Sequence, residues 1–105
     1  MLRIYDEVIA VVRGLAPVVE RLAQRDAALA DQVRRALQSV PLNIAEGSGV
    51  RAGNRRVHYQ RALGSTREVR AGLDVAVAMG YVPAADAEAA ARLDHICAVL
   101  FKLTR

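Results

Sequence analysis

The residues of this 105-residue chain best suited to chemistry are its arginines, which make up all but one of its fifteen cationic side chains. They are unevenly placed. From Arg34 to Arg70 eight arginines (34, 35, 51, 55, 56, 61, 67 and 70) stand against only Glu46 and Glu68, whereas the rest of the chain holds seven cations against nine acids. A guanidinium offers a planar fork of donors that matches phosphate and carboxylate and also stacks on bases. A basic middle of this kind meets phosphate, an acidic protein or neighbouring copies of itself. Arg51, Arg55, Arg56 and Arg61 are the candidate phosphate contacts, because a loop and the first turns of a helix expose several guanidinium groups over a short distance. Arg55 and Arg56 stand near a helix start, where the macrodipole disfavours cations, which hints at an external anion; a solvated basic face is the alternative. His58 and Tyr59 adjoin the patch and are candidates for stacking on a base, although Tyr59 also fits a core position.

No constellation points to catalysis. His95 and Cys97 are two residues apart on an expected helix, hence on different sides of it, with no third group at a useful spacing. Glu46 and Glu68 lie among arginines that keep carboxylates ionised, which suits neither for general-acid work. P-loop, dinucleotide and zinc-finger spacings are absent, so no catalytic residue, cofactor or metal ligand is assigned. Cys97, the only cysteine, sits in the apolar run from Ile96 to Leu100 and reads as a buried thiol acting as a small hydrophobe.

The elements that position these residues are helices around one core. Hydrophobic residues make up 53% of the chain but aromatics only 4%, so Ala, Val, Leu and Ile must fill it. No apolar run is long enough to span a bilayer and the N-terminus is interrupted early by charge, which predicts a cytoplasmic protein without a membrane partner. Ile4, Val8, Val11, Leu15, Val18 and Leu22 line one helical stripe. Gly14 and Pro17 lie off it and predict a bend or weak turn, with a break at Pro17 as the alternative. Asp26 is a candidate N-cap for a second stripe of Leu29, Val33, Leu37, Val40 and Ile44, kinked around Ser39–Asn43 by Pro41. A connection around 47–53 leads to a third stripe of Tyr59, Leu63, Thr66, Val69, Leu73 and Val77, ending near Gly80. Pro83 is placed to open a fourth helix, with Ala89, Leu93, Ile96, Leu100 and Leu103 facing inward. The expected fold is all-α, an antiparallel up-down-up-down four-helix bundle with helices at about 2–24, 27–47, 54–79 and 84–103.

The run Ser39, Val40, Pro41, Leu42, Asn43, Ile44, Ala45, Glu46, Gly47, followed by Ala62, Leu63, Gly64, Ser65 and Glu68, resembles the bacterial 23S rRNA intervening-sequence protein family. Gly80 and Tyr81 match the family's glycine-tyrosine pair at the end of the third helix; its glycine-arginine pair is spaced here as Gly49, Val50, Arg51. The resemblance is strong over residues 30–82. It implies a four-helix bundle assembling into a homo-oligomeric ring, typically a pentamer. A related branch serves diversity-generating retroelements, where a basic pentamer engages a reverse transcriptase and RNA. The resemblance therefore implies RNA or another nucleic acid as partner, with a scaffold for a protein partner as the alternative.

The motif residues also have structural readings. Pro41 frees a carbonyl beside Asn43 and Glu46, which either marks a ligand-binding kink or is repaired locally, with Asn43 serving the backbone and Glu46 capping or pairing with an arginine. Gly64 and Ser65 either approach a ligand or let another helix come close, as does Gly72; close packing compensates the cost of glycine in a helix, about 1 kcal/mol relative to Ala.

Overall fold

The computed structural model describes residues 3–49, 52–84 and 87–105, and the side chains of all of these but 52, 53, 87 and 88. Four helices follow one another: α1 Arg3–Ala23, α2 Ala27–Ser48, α3 Ala52–Ala78 and α4 Ala87–Leu103. Contacts run from α1 to α2, α2 to α3, α3 to α4 and α4 back to α1. That circuit is the expected up-down bundle, 43 Å long and 23 by 20 Å across, with no strand among the described residues.

Each helix forms where its apolar period demands one. The six-residue stripe of α1 is buried throughout, joined by Val19. Asp26 caps α2 from an extended conformation (φ −152°, ψ 96°), its carboxylate accepting a hydrogen bond from the Leu29 amide at 2.9 Å. Val33, Leu37, Val40 and Ile44 are buried as the spacing predicts, and so are Tyr59, Leu63, Thr66, Val69 and Leu73 of α3. Thr66 is tolerated in the core because its hydroxyl donates to the Ala62 carbonyl of its own helix at 2.7 Å. Val77 departs from expectation: it is exposed, because the inward face of α3 has drifted to Ala76 by the last turn.

Neither proline interrupts its helix. α1 continues through Gly14 and Pro17, and α2 through Pro41, so no break occurs at Pro17 and the kink expected around Ser39–Asn43 leaves α2 whole. Each proline deprives the carbonyl four residues earlier of its partner. For Pro17 that is Arg13, at an exposed position where water can serve. Pro41 is buried, so burial of its ring offsets the loss at the Leu37 carbonyl.

The end of α3 is a glycine cap. Gly80 takes φ 75°, the Tyr81 amide reaches the Ala76 carbonyl at 2.9 Å, and the Gly80 amide reaches Val77 at 3.0 Å. The described part of α4 starts at Ala87, and the expected start after Pro83 adjoins residues 85–86, which lie outside the described residues. Val82 is buried in the core.

Candidate nucleic-acid interface

The Pro41–Gly47 motif and the Gly64–Ser65 motif meet in the α2–α3 seam. A Cβ at Gly47 would stand 2.6 Å from Cε1 of Tyr59, and one at Gly72 would stand 2.5 Å from Cγ2 of Val33, so both glycines are required by close approach. Gly64 is different. It is exposed with nothing within 4 Å of a would-be Cβ, so the expected intramolecular helix approach there does not occur.

Between these tight points runs a chain of part-buried polar groups. Ser65 Oγ donates to Ser39 Oγ at 2.9 Å, and Asn43 Nδ2 donates to the Ser39 carbonyl at 2.9 Å and its hydroxyl at 3.0 Å. With the Asn43 amide nitrogen so committed, its oxygen accepts, and His58 Nδ1, 3.3 Å away, carries the proton. His58 Nε2 then faces Glu46 Oε2 at 3.7 Å. Two expectations are corrected here. Asn43 serves the Ser39 carbonyl, not that of Leu37 freed by Pro41, and Glu46 faces a histidine, not an arginine. Glu68 is exposed and lies ten residues beyond His58 on α3, about 15 Å of helix rise, so the two glutamates are not brought together. Tyr59 is buried with its hydroxyl 3.5 Å from Ser48, leaving neither it nor His58 free to stack on a base.

The arginines separate into distinct roles. Arg51 lies outside the described residues. Arg55 donates from Nε to the Gly47 carbonyl at 3.2 Å, placing its charge at the negative C-terminal end of α2. The internal helix end thus offsets the cost of a cation at the start of α3. Arg56 and Arg61 are exposed and have no ion pair or hydrogen bond among the described residues. At about 100° per residue, Arg55, Arg56 and Arg61 point in three directions around α3 and do not form one patch. Arg35 and Arg70 are engaged by acids, the first with Asp31 at 3.0 Å and the second with Asp74 at 3.8 Å and Asp94 at 3.7 Å. Arg67, passed over as a candidate, is exposed and lacks an ion pair among the described residues. Its spacing of eleven from Arg56 puts both on one side of α3, a signal that was available in the sequence.

The remaining titratable groups are dispersed. His95 Nε2 faces Glu7 Oε2 at 3.2 Å on the rim of a groove of about 390 Å³ between α1 and α4, walled by Val11, Ala91 and Ile96. Cys97 is half-buried, and burial pushes its thiol up against the opposing influence of Arg67. Among the described residues no three His, Cys, Asp or Glu side chains gather as a metal site, and no helix is long and apolar enough to cross a membrane.

No curated protein matches this chain. A crystal structure of a protein of unknown function from the S23 ribosomal protein family of Bacteroides thetaiotaomicron is superimposable with a TM-score of 0.91, covering 97% of this chain and 98% of that one at 15% identity. At that identity the likeness shows a shared fold. The sequence model of the 23S rRNA-intervening sequence protein matches residues 1–102, and the chain belongs to that family.

Proposed function

We propose that this chain is a non-enzymatic, self-associating bundle that binds RNA through exposed arginines of α3. The observation that carries the reading is the state of Arg56, Arg61 and Arg67: all three are exposed and without an acidic partner among the described residues, on a stretch from Asn54 to Arg67 that contains no acid. Cations without counter-charge along one helix favour a polyanion, whose condensed counterions are released on binding. Self-association is supported by the outward side of α3, where Val57 and Val75 are exposed alongside the open Gly64, with Met79 exposed just past the helix end. Apolar side chains repeated on the solvent side of a helix suit a subunit contact. The family resemblance makes five the expected subunit number, and repetition around a ring would turn a modest arginine site into an avid one. The same apolar side supports the alternative, a scaffold that docks a protein partner.

The test is binding of structured RNA at low and moderate salt, with oligomer size followed by light scattering. Arg56, Arg61 and Arg67 changed together to Ala should weaken binding and flatten its salt dependence by about two phosphate contacts, at about 0.7 to 0.9 in the log–log slope for each. Arg35→Ala, which removes a cation already paired with Asp31, is the control that should change little. Absence of RNA binding at low salt would leave the scaffold as the better account.

A further inference from the structure

We infer that the face formed by α3 and the end of α4 takes a single-stranded stretch of nucleic acid, with a base stacked on Phe101 and Arg105 and the backbone met by Arg56 and Arg67. The inference rests on the RNA-binding reading above and narrows it to one face and one class of strand.

The Arg70–Asp94 contact sets the register of the two antiparallel helices. From Arg70 the α3 positions that share its side run back through Arg67, Leu63 and Gln60 to Arg56, at spacings of three, four, three and four. From Asp94 the matching α4 positions run forward through Ala98 and Phe101 to Arg105, at four, three and four. Because the helices are antiparallel, these two rows run side by side, with Leu63 turned into the core and Arg56, Gln60 and Arg67 exposed. The influence of Arg67 on the Cys97 thiol independently places Arg67 against this part of α4.

This face has the chemistry of a strand site along its length. Asp94 marks one limit; beyond it α4 has no acid, and α3 has none between Arg55 and Arg67. The chain has three tyrosines and one phenylalanine. Tyr59 is buried and Tyr5 and Tyr81 are partly buried against the core, which leaves Phe101 as the exposed aromatic at 47%. The Arg105 guanidinium lies over its ring at 5.3 Å from the centroid. An exposed ring joined to a guanidinium plane is a platform on which any base can stack, flanked here by Arg56 and Arg67 at backbone-contact positions. A duplex hides its base faces within the stack, so the platform selects an unpaired strand.

The test uses a labelled twelve-nucleotide oligouridine and a labelled RNA duplex, titrated with the full chain at low salt. Phe101→Leu keeps an apolar side chain but removes the π face. It should weaken single-strand binding about tenfold, within the range of one base stacked on an aromatic, while leaving duplex binding unchanged. Phe101→Trp introduces the chain's sole tryptophan, whose fluorescence should be quenched by the single strand and not by the duplex. Single-strand binding unaltered by Phe101→Leu, or a tryptophan signal still unquenched at saturation in Phe101→Trp, would overturn the Phe101 site. If that happened while the Arg56, Arg61 and Arg67 triple substitution still weakened binding, the broader RNA reading would stand without it. Failure of both RNAs to bind would sink both.

Discussion

The α2–α3 seam and the α1–α4 seam are built from opposite materials. In the first, two glycines let a tyrosine ring and a valine press onto the opposite backbone, and a chain of side-chain hydrogen bonds from Ser65 to Glu46 joins the helices at defined positions. In the second, a groove of about 390 Å³ separates the walls, and a polar link across it is the Glu7–His95 pair, His95 exposed and Glu7 partly so. A seam of close backbone approach and directional bonds has one register. A seam of aliphatic contacts beside an open groove can adjust by small shifts, because dispersion and burial are non-directional.

Substitutions at the tight seam should therefore hurt far more than those at the loose one. Gly47→Ala is expected to have the largest effect: the new methyl meets the Tyr59 ring and His58, and a loss of about 2 kcal/mol should appear as a lowered urea midpoint. Next comes Asn43→Ala, which strands Ser39 and His58 without their shared partner and should cost about 1.5 kcal/mol in the same assay. Gly64→Ala reverses the sign. With open space around it, the alanine should raise stability by about 0.5 to 1 kcal/mol through helix propensity, and a simultaneous fall in oligomer size would show that the outward glycine is used between subunits. Glu7→Gln at the loose seam should change stability by less than about 0.5 kcal/mol, as exposed pairs do. The smallest effect is chemical: with its thiol pushed up by burial, Cys97 should alkylate more slowly than free cysteine near pH 8 and accelerate as pH rises, and stability should fall slightly once pH passes the ordinary thiol value, where the unfolded chain ionises first.

The fold was legible because it rests on a three-to-four-residue period repeated four times, and each stripe found its place in one core. Boundaries were legible where a residue suited to a cap stands, the Asp26 carboxylate at the start of α2 and the positive φ of Gly80 after α3. The candidate site was less legible. Sequence proximity grouped Arg51, Arg55, Arg56 and Arg61, but helical rotation disperses the described three, and Arg55 belongs to the end of α2. The aromatic expected beside them was sought at His58 and Tyr59, four residues or fewer from Arg55, whereas the exposed Phe101, proposed to pair with Arg56 and Arg67, comes from the far end of the chain. That pairing depends on the α3–α4 register, which the Arg70–Asp94 contact reveals and spacing within either helix does not. Asn43 and Glu46 were recognised as a motif, but their partner His58 needed the antiparallel pairing to become visible.

The tightest seam also joins helices that are neighbours in the chain, with only residues 49–51 between them, and this has a consequence for the order of events in folding. Contacts between adjacent segments form early, because little loop entropy opposes them. The α2–α3 hairpin is complete once Ala78 has been synthesised, before α4 exists, at a translation pace of about 5 to 20 residues per second. The α1–α4 contact, by contrast, must wait for the last helix. Substitutions at Gly47 and Asn43 should therefore slow folding, whereas those on the core side of the α1–α4 contact, such as Val11 and Ile96, should mainly speed unfolding.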